Sequence, residues 1–199
     1  MKKLQFFSLF IFIGALTISC NEDSNNNGSA SISPFSIVND TTLSLNGVIN
    51  NNTLNAFNEA LRQNPNTKLL IFKEAPGSED DETNLQVGRK LHSEGLNTHV
   101  ENNGFIASGA VDLFLAGTKR TLGLSARVGV HSWSDGTNEA TDFPQDAEEH
   151  QFFIKYYTDI GMSQQLAEDF YFFTINAAPA ADVHWMTEAE LDLYQIENP

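Results

Sequence analysis

The 199-residue chain holds a single cysteine, Cys20, so no disulfide can form within it. Basic residues are also scarce, with 11 Lys and Arg against 26 Asp and Glu and a formal net charge of −15. Nucleic-acid binding depends on Lys and Arg neutralising phosphates, so this balance argues against a nucleic-acid partner. It argues equally against adsorption to anionic lipid through the chain's own charge. No apolar run reaches the roughly 20 residues that a transmembrane helix needs. His92, His99, His150 and His184 form no pair at metal-ligand spacing such as HExxH, so packing or surface roles are expected of them. Asp135, Glu139 and Asp142 lie in a polar loop without the EF-hand pattern. Neither a P-loop nor a dinucleotide-binding glycine pattern occurs, and neither a metal nor an organic cofactor is implied.

What is present begins at the N-terminus. Lys2 and Lys3 precede an apolar run, Phe6 to Ile13, interrupted by Ser8, and small and apolar residues lead on to Cys20. This order reads as a secretory signal. Gly14-Ala15-Leu16-Thr17-Ile18-Ser19-Cys20 resembles a lipobox, the bacterial motif whose cysteine is diacylated and becomes the mature N-terminus. It departs from the motif at Thr17, where an aliphatic residue is usual; Leu16 lies one step earlier. An unpaired thiol is a liability in an oxidising compartment, and lipidation of Cys20 removes it. More than one acyl chain also satisfies the requirement for stable anchoring.

The expected organisation is therefore a signal peptide over 1–19, a flexible tether over 20–36 rich in Asn, Ser and Gly, and one domain over 37–199. The expected location is the cell envelope, facing the periplasm or the cell exterior. Asn21-Glu22-Asp23 resembles the acidic export tags of surface lipoproteins in Bacteroidetes-type bacteria. Without residues 1–19, nine bases face 26 acids and the net charge is −17. Membrane attachment then comes from the lipid.

Within the domain, apolar spacing alternates between two periods. Thr41 to Ile49 reads as a strand, and Thr53 to Gln63 as a helix stopped by Asn64-Pro65. Leu69-Leu70-Ile71-Phe72 reads as a strand buried on both faces. Thr83 to Glu94 reads as a helix closed by Gly95, and Asn97 to Val100 as a short strand. An apolar segment follows over Ser108 to Ala116, then a strand over Ala126 to Val130. Helical patterns cover 146–160, 163–173 and Thr187 to Tyr194. Strands alternating with helices over short links predict an α/β domain with a mostly parallel sheet. Fifteen phenylalanines, several near Phe170-Tyr171-Phe172-Phe173, supply a sizeable core.

Two segments carry candidate chemistry. Gly104-Phe105-Ile106-Ala107-Ser108-Gly109-Ala110 places a serine between small residues where a helix begins. A serine there can attack a carbonyl while the next residue's N–H stabilises the oxyanion, although such serines also serve as caps. Arg127-Val128-Gly129-Val130-His131 ends a strand on a histidine, where parallel sheets place functional groups. Trp133 just beyond it suits a cleft wall or a core filler equally.

These segments, with Ala75-Pro76-Gly77-Ser78 before them and Phe114-Leu115-Ala116-Gly117 between them, resemble the Clp protease proteolytic subunit. The Clp-protease-like predicted periplasmic proteins of the same superfamily, which includes the crotonases, are closer still. The resemblance runs from about Leu43 to Glu197, closing on Trp185-Met186-Thr187-Glu188-Ala189-Glu190. It implies stacked ββα units, Ser108 as nucleophile and His131 as general base. It implies an oxyanion hole from the N–H groups of Gly109 and of Gly77 and Ser78. It also implies peptide or small acyl substrates, and self-association into rings or trimers.

The sequence departs from the pattern twice. The second loop glycine is Ser78, followed by Glu79-Asp80-Asp81-Glu82, and Val183 occupies the usual aspartate position with Asp182 one residue earlier. Asp182 is the residue expected to orient His131, with a Ser-His dyad as the alternative. These departures also leave open a non-catalytic binding or scaffold lipoprotein of the same fold. A crotonase-type acyl-CoA enzyme fits poorly, since CoA is polyanionic and the domain is acidic.

Overall fold

The computed structural model describes residues 31–198. The signal segment and Cys20 lie outside the described residues. Regular structure starts with strand β1 (Phe35–Asn39), whose Phe35 is already buried and packs on Phe57. Strand β2 (Thr42–Leu45) pairs antiparallel with β1, and all four of its residues are buried. Helix α1 (Thr53–Gln63) turns Ala56, Phe57 and Ala60 into the core, the i, i+3/i+4 stripe expected of an amphipathic helix.

Strand β3 (Leu69–Ala75) runs parallel to β2 and buries Leu70, Phe72 and Ala75 completely. Its other face is half-covered rather than sealed, so the burial on both faces expected of Leu69 to Phe72 is only partly realised, while β2, read as alternating, is buried throughout. Each fully buried Leu or Phe contributes about 1.5–3 kcal/mol relative to exposure. Helix α2 (Asp81–Ser93) follows, capped by the Asp80 carboxylate, which accepts the Thr83 N–H at 2.8 Å. Asp81 and Glu82 occupy the first turn, where negative charge is favoured. The acidic run after Ser78 thus starts a helix.

Strand β4 (Asn97–Ala107) is longer than Asn97 to Val100. Asn102-Asn103-Gly104 reads as a turn in sequence, but in the sheet it forms an irregularity, with Asn103 at φ 62°. Extra residues accommodated within a ladder bend the strand without ending it. The bend lets β4 change partners. Its first half pairs with β5 (Arg120–Leu122) and its second half with β6 (Arg127–Val130), both parallel.

Between them, α3 (Gly109–Leu115) packs wholly buried against α2. A 3-10 turn (Ala140–Asp142), helices α4 (Glu148–Asp159) and α5 (Gln164–Ala177), strand β7 (His184–Trp185) and helix α6 (Glu188–Leu193) complete the order. The sheet has seven strands in the order β1-β2-β3-β4-β6-β7, with β5 alongside β4. It is parallel except at its β1 and β7 ends. The Arg120 guanidinium donates to the carbonyls of Gln195 and Ile196, fastening the C-terminal segment to β5.

Candidate functional site

The C-terminal ends of β3, β4 and β6 lie side by side and lead into the segments bearing Gly77, Ser108 and His131. The Ser108 N–H donates to the Gly129 carbonyl at 3.0 Å, so the serine is fixed against β6 at the point where β4 becomes α3. Its backbone has φ 52° and ψ −136°, a conformation that costs a non-glycine residue about 1–3 kcal/mol. The strain lifts the side chain out of the strand direction at a sharp strand-to-helix turn. Its hydroxyl makes no capping bond to the helix.

The loop after β3 closes over this turn. A Cβ on Gly77 would lie 2.8 Å from Ser108 Cβ, and Gly77 itself has φ 139°. A Cβ on Gly109 would likewise lie 2.8 Å from Ser78 Cβ. Only two glycines let these segments approach so closely. The Ile49 N–H donates to the Gly77 carbonyl and the Glu79 N–H to the Ile49 carbonyl. Alternate amides of an extended segment face opposite edges, so the Ser78 N–H faces away from Ile49. The Gly109 N–H, first in its helix, has no partner within it. Since α3 spans only seven residues, these local amides matter more than its macrodipole. Asn84 of α2 donates its side-chain amide to the Gly109 carbonyl at 2.8 Å and holds the turn in place.

His131 lines the same cleft as Ser108. Its Nδ1 lies 2.7 Å from the Ser132 carbonyl, and a carbonyl only accepts. Nδ1 therefore carries the proton, leaving Nε2 of the neutral ring as an acceptor. No hydrogen bond joins the Ser108 hydroxyl to the imidazole. Asp182 is not brought to His131 either. It is exposed, and its carboxylate accepts the N–H of Val183 at 2.8 Å. The Ser132 carbonyl stands where an orienting acid was expected.

The cleft extends from Ser108 between α3, α4 and α5, with Val111, Trp133, Tyr157 and Tyr171 among its walls. Trp133 thus belongs to the cleft, stacking on Phe153 and donating from Nε1 to the Tyr171 hydroxyl at 2.9 Å. That hydroxyl also lies at hydrogen-bond distance from His150 Nδ1, at 2.8 Å. Among the described residues, His150 Nε2 is buried without a partner. His92, His99 and His184 have local partners instead, at Ala116 O, Thr121 Oγ1 and Glu190. Asp135 caps its own turn through the N–H groups of Thr137 and Asn138.

Asp112 and Asp81 also line the cleft, and no sequence motif pointed to them. Asp112 lies one turn after Ser108, the only charged residue of Gly109-Ala110-Val111-Asp112-Leu113-Phe114-Leu115. A lone acid in an apolar helix is a signal in itself. Burial pushes its carboxyl up to about 7, opposed by the Tyr157 hydroxyl and assisted by the Asp81 charge. Tyr157 donates to Oδ1 at 2.6 Å. Ser78 donates its hydroxyl to Asp81 at 2.5 Å, with its side chain packed against the start of α3 at Gly109.

No protein-family model matches the chain, and no curated protein matches it by sequence. Solved structures do match. The membrane-bound stomatin-specific protease 1510-N of Pyrococcus horikoshii superposes with a TM-score of 0.53 at 14% identity, covering 79% of this chain and 76% of that one. ClpP1 from Listeria monocytogenes superposes with a TM-score of 0.50 at 16% identity, covering 80% and 89% respectively. At this identity the likeness speaks for the fold. The chain has a Clp protease-like α/β fold, with its candidate site at the carboxyl edge of the parallel strands.

Proposed function

We propose that the protein is an exported, lipid-anchored serine hydrolase of peptidase type, with Ser108 as nucleophile and His131 as general base. The observation that carries this is the strained backbone of Ser108, held at a strand-to-helix turn in the cleft that His131 also lines. The fold is shared with the stomatin-specific protease and ClpP1, which supports a peptide or small acyl substrate.

In this reading Ser108 Oγ attacks the substrate carbonyl carbon as its proton passes to His131 Nε2. The carbonyl oxygen becomes an oxyanion and accepts from the N–H groups of Gly109 and of Gly77 or Ser78. Collapse breaks the scissile bond, and the leaving group takes the proton from His131. Water then repeats the sequence on the acyl-enzyme. The imidazole is oriented by the Ser132 carbonyl, so the unit is a Ser-His dyad. Asp182 takes part only if its loop shifts toward the ring.

A neutral fluorophosphonate probe on the purified domain tests this. Labelling that disappears in Ser108→Ala and falls steeply in His131→Ala is expected. A folded, unlabelled protein favours the non-catalytic binding or scaffold reading, which the missing Ser108–His131 hydrogen bond and Ser78 support. The anchor is tested separately. Cys20→Ser is expected to abolish incorporation of labelled palmitate and to release the protein from the membrane fraction.

A further inference from the structure

We infer that the cleft selects a cationic side chain, a lysine-like aminoalkyl group next to the scissile carbonyl, with Asp112 as its counter-charge. This rests on the hydrolase reading for the scissile bond and adds the substrate class.

Position comes first. Asp112 lies four positions after Ser108, about one helical turn or some 6 Å of rise. A side chain entering the cleft beside Ser108 therefore reaches Asp112 with an extended four-carbon stem. The cleft holds about 50 Å³ of free space, room for a few waters or an unbranched chain.

Charge comes second. Asp112 is only 8% exposed, and Tyr157 occupies Oδ1 alone. Among the described residues, Oδ2 has no hydrogen-bond partner and no base pairs with the carboxylate. The cleft lining contains no Lys or Arg, and its other acid is Asp81 at the α2 end. A buried carboxylate without a cation is costly, and an arriving ammonium recovers part of that cost. A carboxyl needed only to accept the Tyr157 hydroxyl has no use for its charge.

Walls come third. Trp133, Tyr157, Phe170 and Tyr171 give the cleft π surface, which attracts a desolvated ammonium and also sheathes an aliphatic stem. The surrounding surface, at net −17 without the signal segment, raises the local concentration of cationic peptides.

The experiment compares matched ester substrates bearing a lysyl group or an uncharged norleucyl group before the scissile bond. The lysyl ester is expected to be preferred by at least about tenfold in kcat/KM, mainly through KM, and Asp112→Asn is expected to erase that preference. If the neutral fluorophosphonate labels Ser108 while norleucyl equals or beats lysyl, the cation inference falls and the hydrolase reading stands. If the probe labels nothing, the hydrolase reading falls, and calorimetry with n-butylamine against n-butanol decides the inference. Butylamine binding that is absent for butanol and lost in Asp112→Asn supports it; equal or absent binding overturns it. Should Asp112→Asn fail to fold, the two comparisons on the unsubstituted protein decide alone.

Discussion

Gly77 packs against Ser108 so closely that a methyl group on the first would sit 2.8 Å from the Cβ of the second. The glycine also holds φ 139°, so an alanine there is strained twice. Gly77→Ala is expected to lose about 1–3 kcal/mol in denaturant melts and to displace the loop from the Ser108 turn. In the hydrolase reading, fluorophosphonate labelling drops more than the stability loss explains. Wild-type labelling in a folded Gly77→Ala protein counts against the loop's part in the oxyanion hole.

Asn84 couples α2 to the same turn. Its side chain is fully buried, and its amide donates to the Gly109 carbonyl, while its own Oδ1 has no partner. Asn84→Ala leaves that carbonyl short of its donor and opens a small cavity, at a cost of about 1–3 kcal/mol. A thermal melt measures the loss, and the rate of Ser108 labelling reports whether the turn has shifted. An unchanged melt shows that the contact carries little.

Asp112 gives stability a pH signature. Its carboxyl is raised by burial to about 7, above the ordinary value near 3.9. The folded state therefore holds this proton more tightly than the unfolded chain. Its stabilising effect is complete below about pH 4 and is lost as pH rises through about 7. Asp112→Asn keeps an acceptor for Tyr157 and cannot ionise. The gain in Tm from the substitution is expected to be larger at pH 8 than at pH 5. A gain that is flat in pH shows that Asp112 titrates as an ordinary carboxylate.

Tyr171 joins Trp133 to His150 through one hydroxyl. Tyr171→Phe keeps the ring and strands both the indole N–H and the imidazole Nδ1. A loss of about 1–3 kcal/mol is expected, with a change in Trp133 fluorescence reporting the altered cleft wall. His150→Phe alone leaves the indole bond intact, so it is expected to change the fluorescence less.

The fold was legible where periodicity is local. Thr53–Gln63 forms the helix that its apolar spacing predicts, residue for residue, and the parallel pairing of β2, β3, β4 and β6 follows from alternating strands and helices. The length of β4 was not legible, because Asn102-Asn103-Gly104 has turn chemistry and only its neighbours in the sheet decide that it bends and continues. The two-residue strand β7 was missed because two residues carry no period; it exists because Gly129 and Val130 offer it an edge. Asp182 was the nearest acid to the position that Val183 occupies in the closing segment, and its carboxylate accepts the N–H of Val183 itself, a local bond that short acidic side chains readily make.

By itself the sequence determined the class of domain and its acidity, and it singled out Ser108 and His131 as candidates through the resemblance their segments carry, since composition and motif order are properties of the chain. Tertiary structure alone decided that these two share a cleft, that the Ser132 carbonyl and not Asp182 meets the imidazole, and that Asp112 faces that cleft. The physical reason is common to all three. Burial and hydrogen-bond partners are set by segments that meet only when the sheet is assembled, and a carboxyl's charge depends on that enclosure and not on its neighbours in sequence.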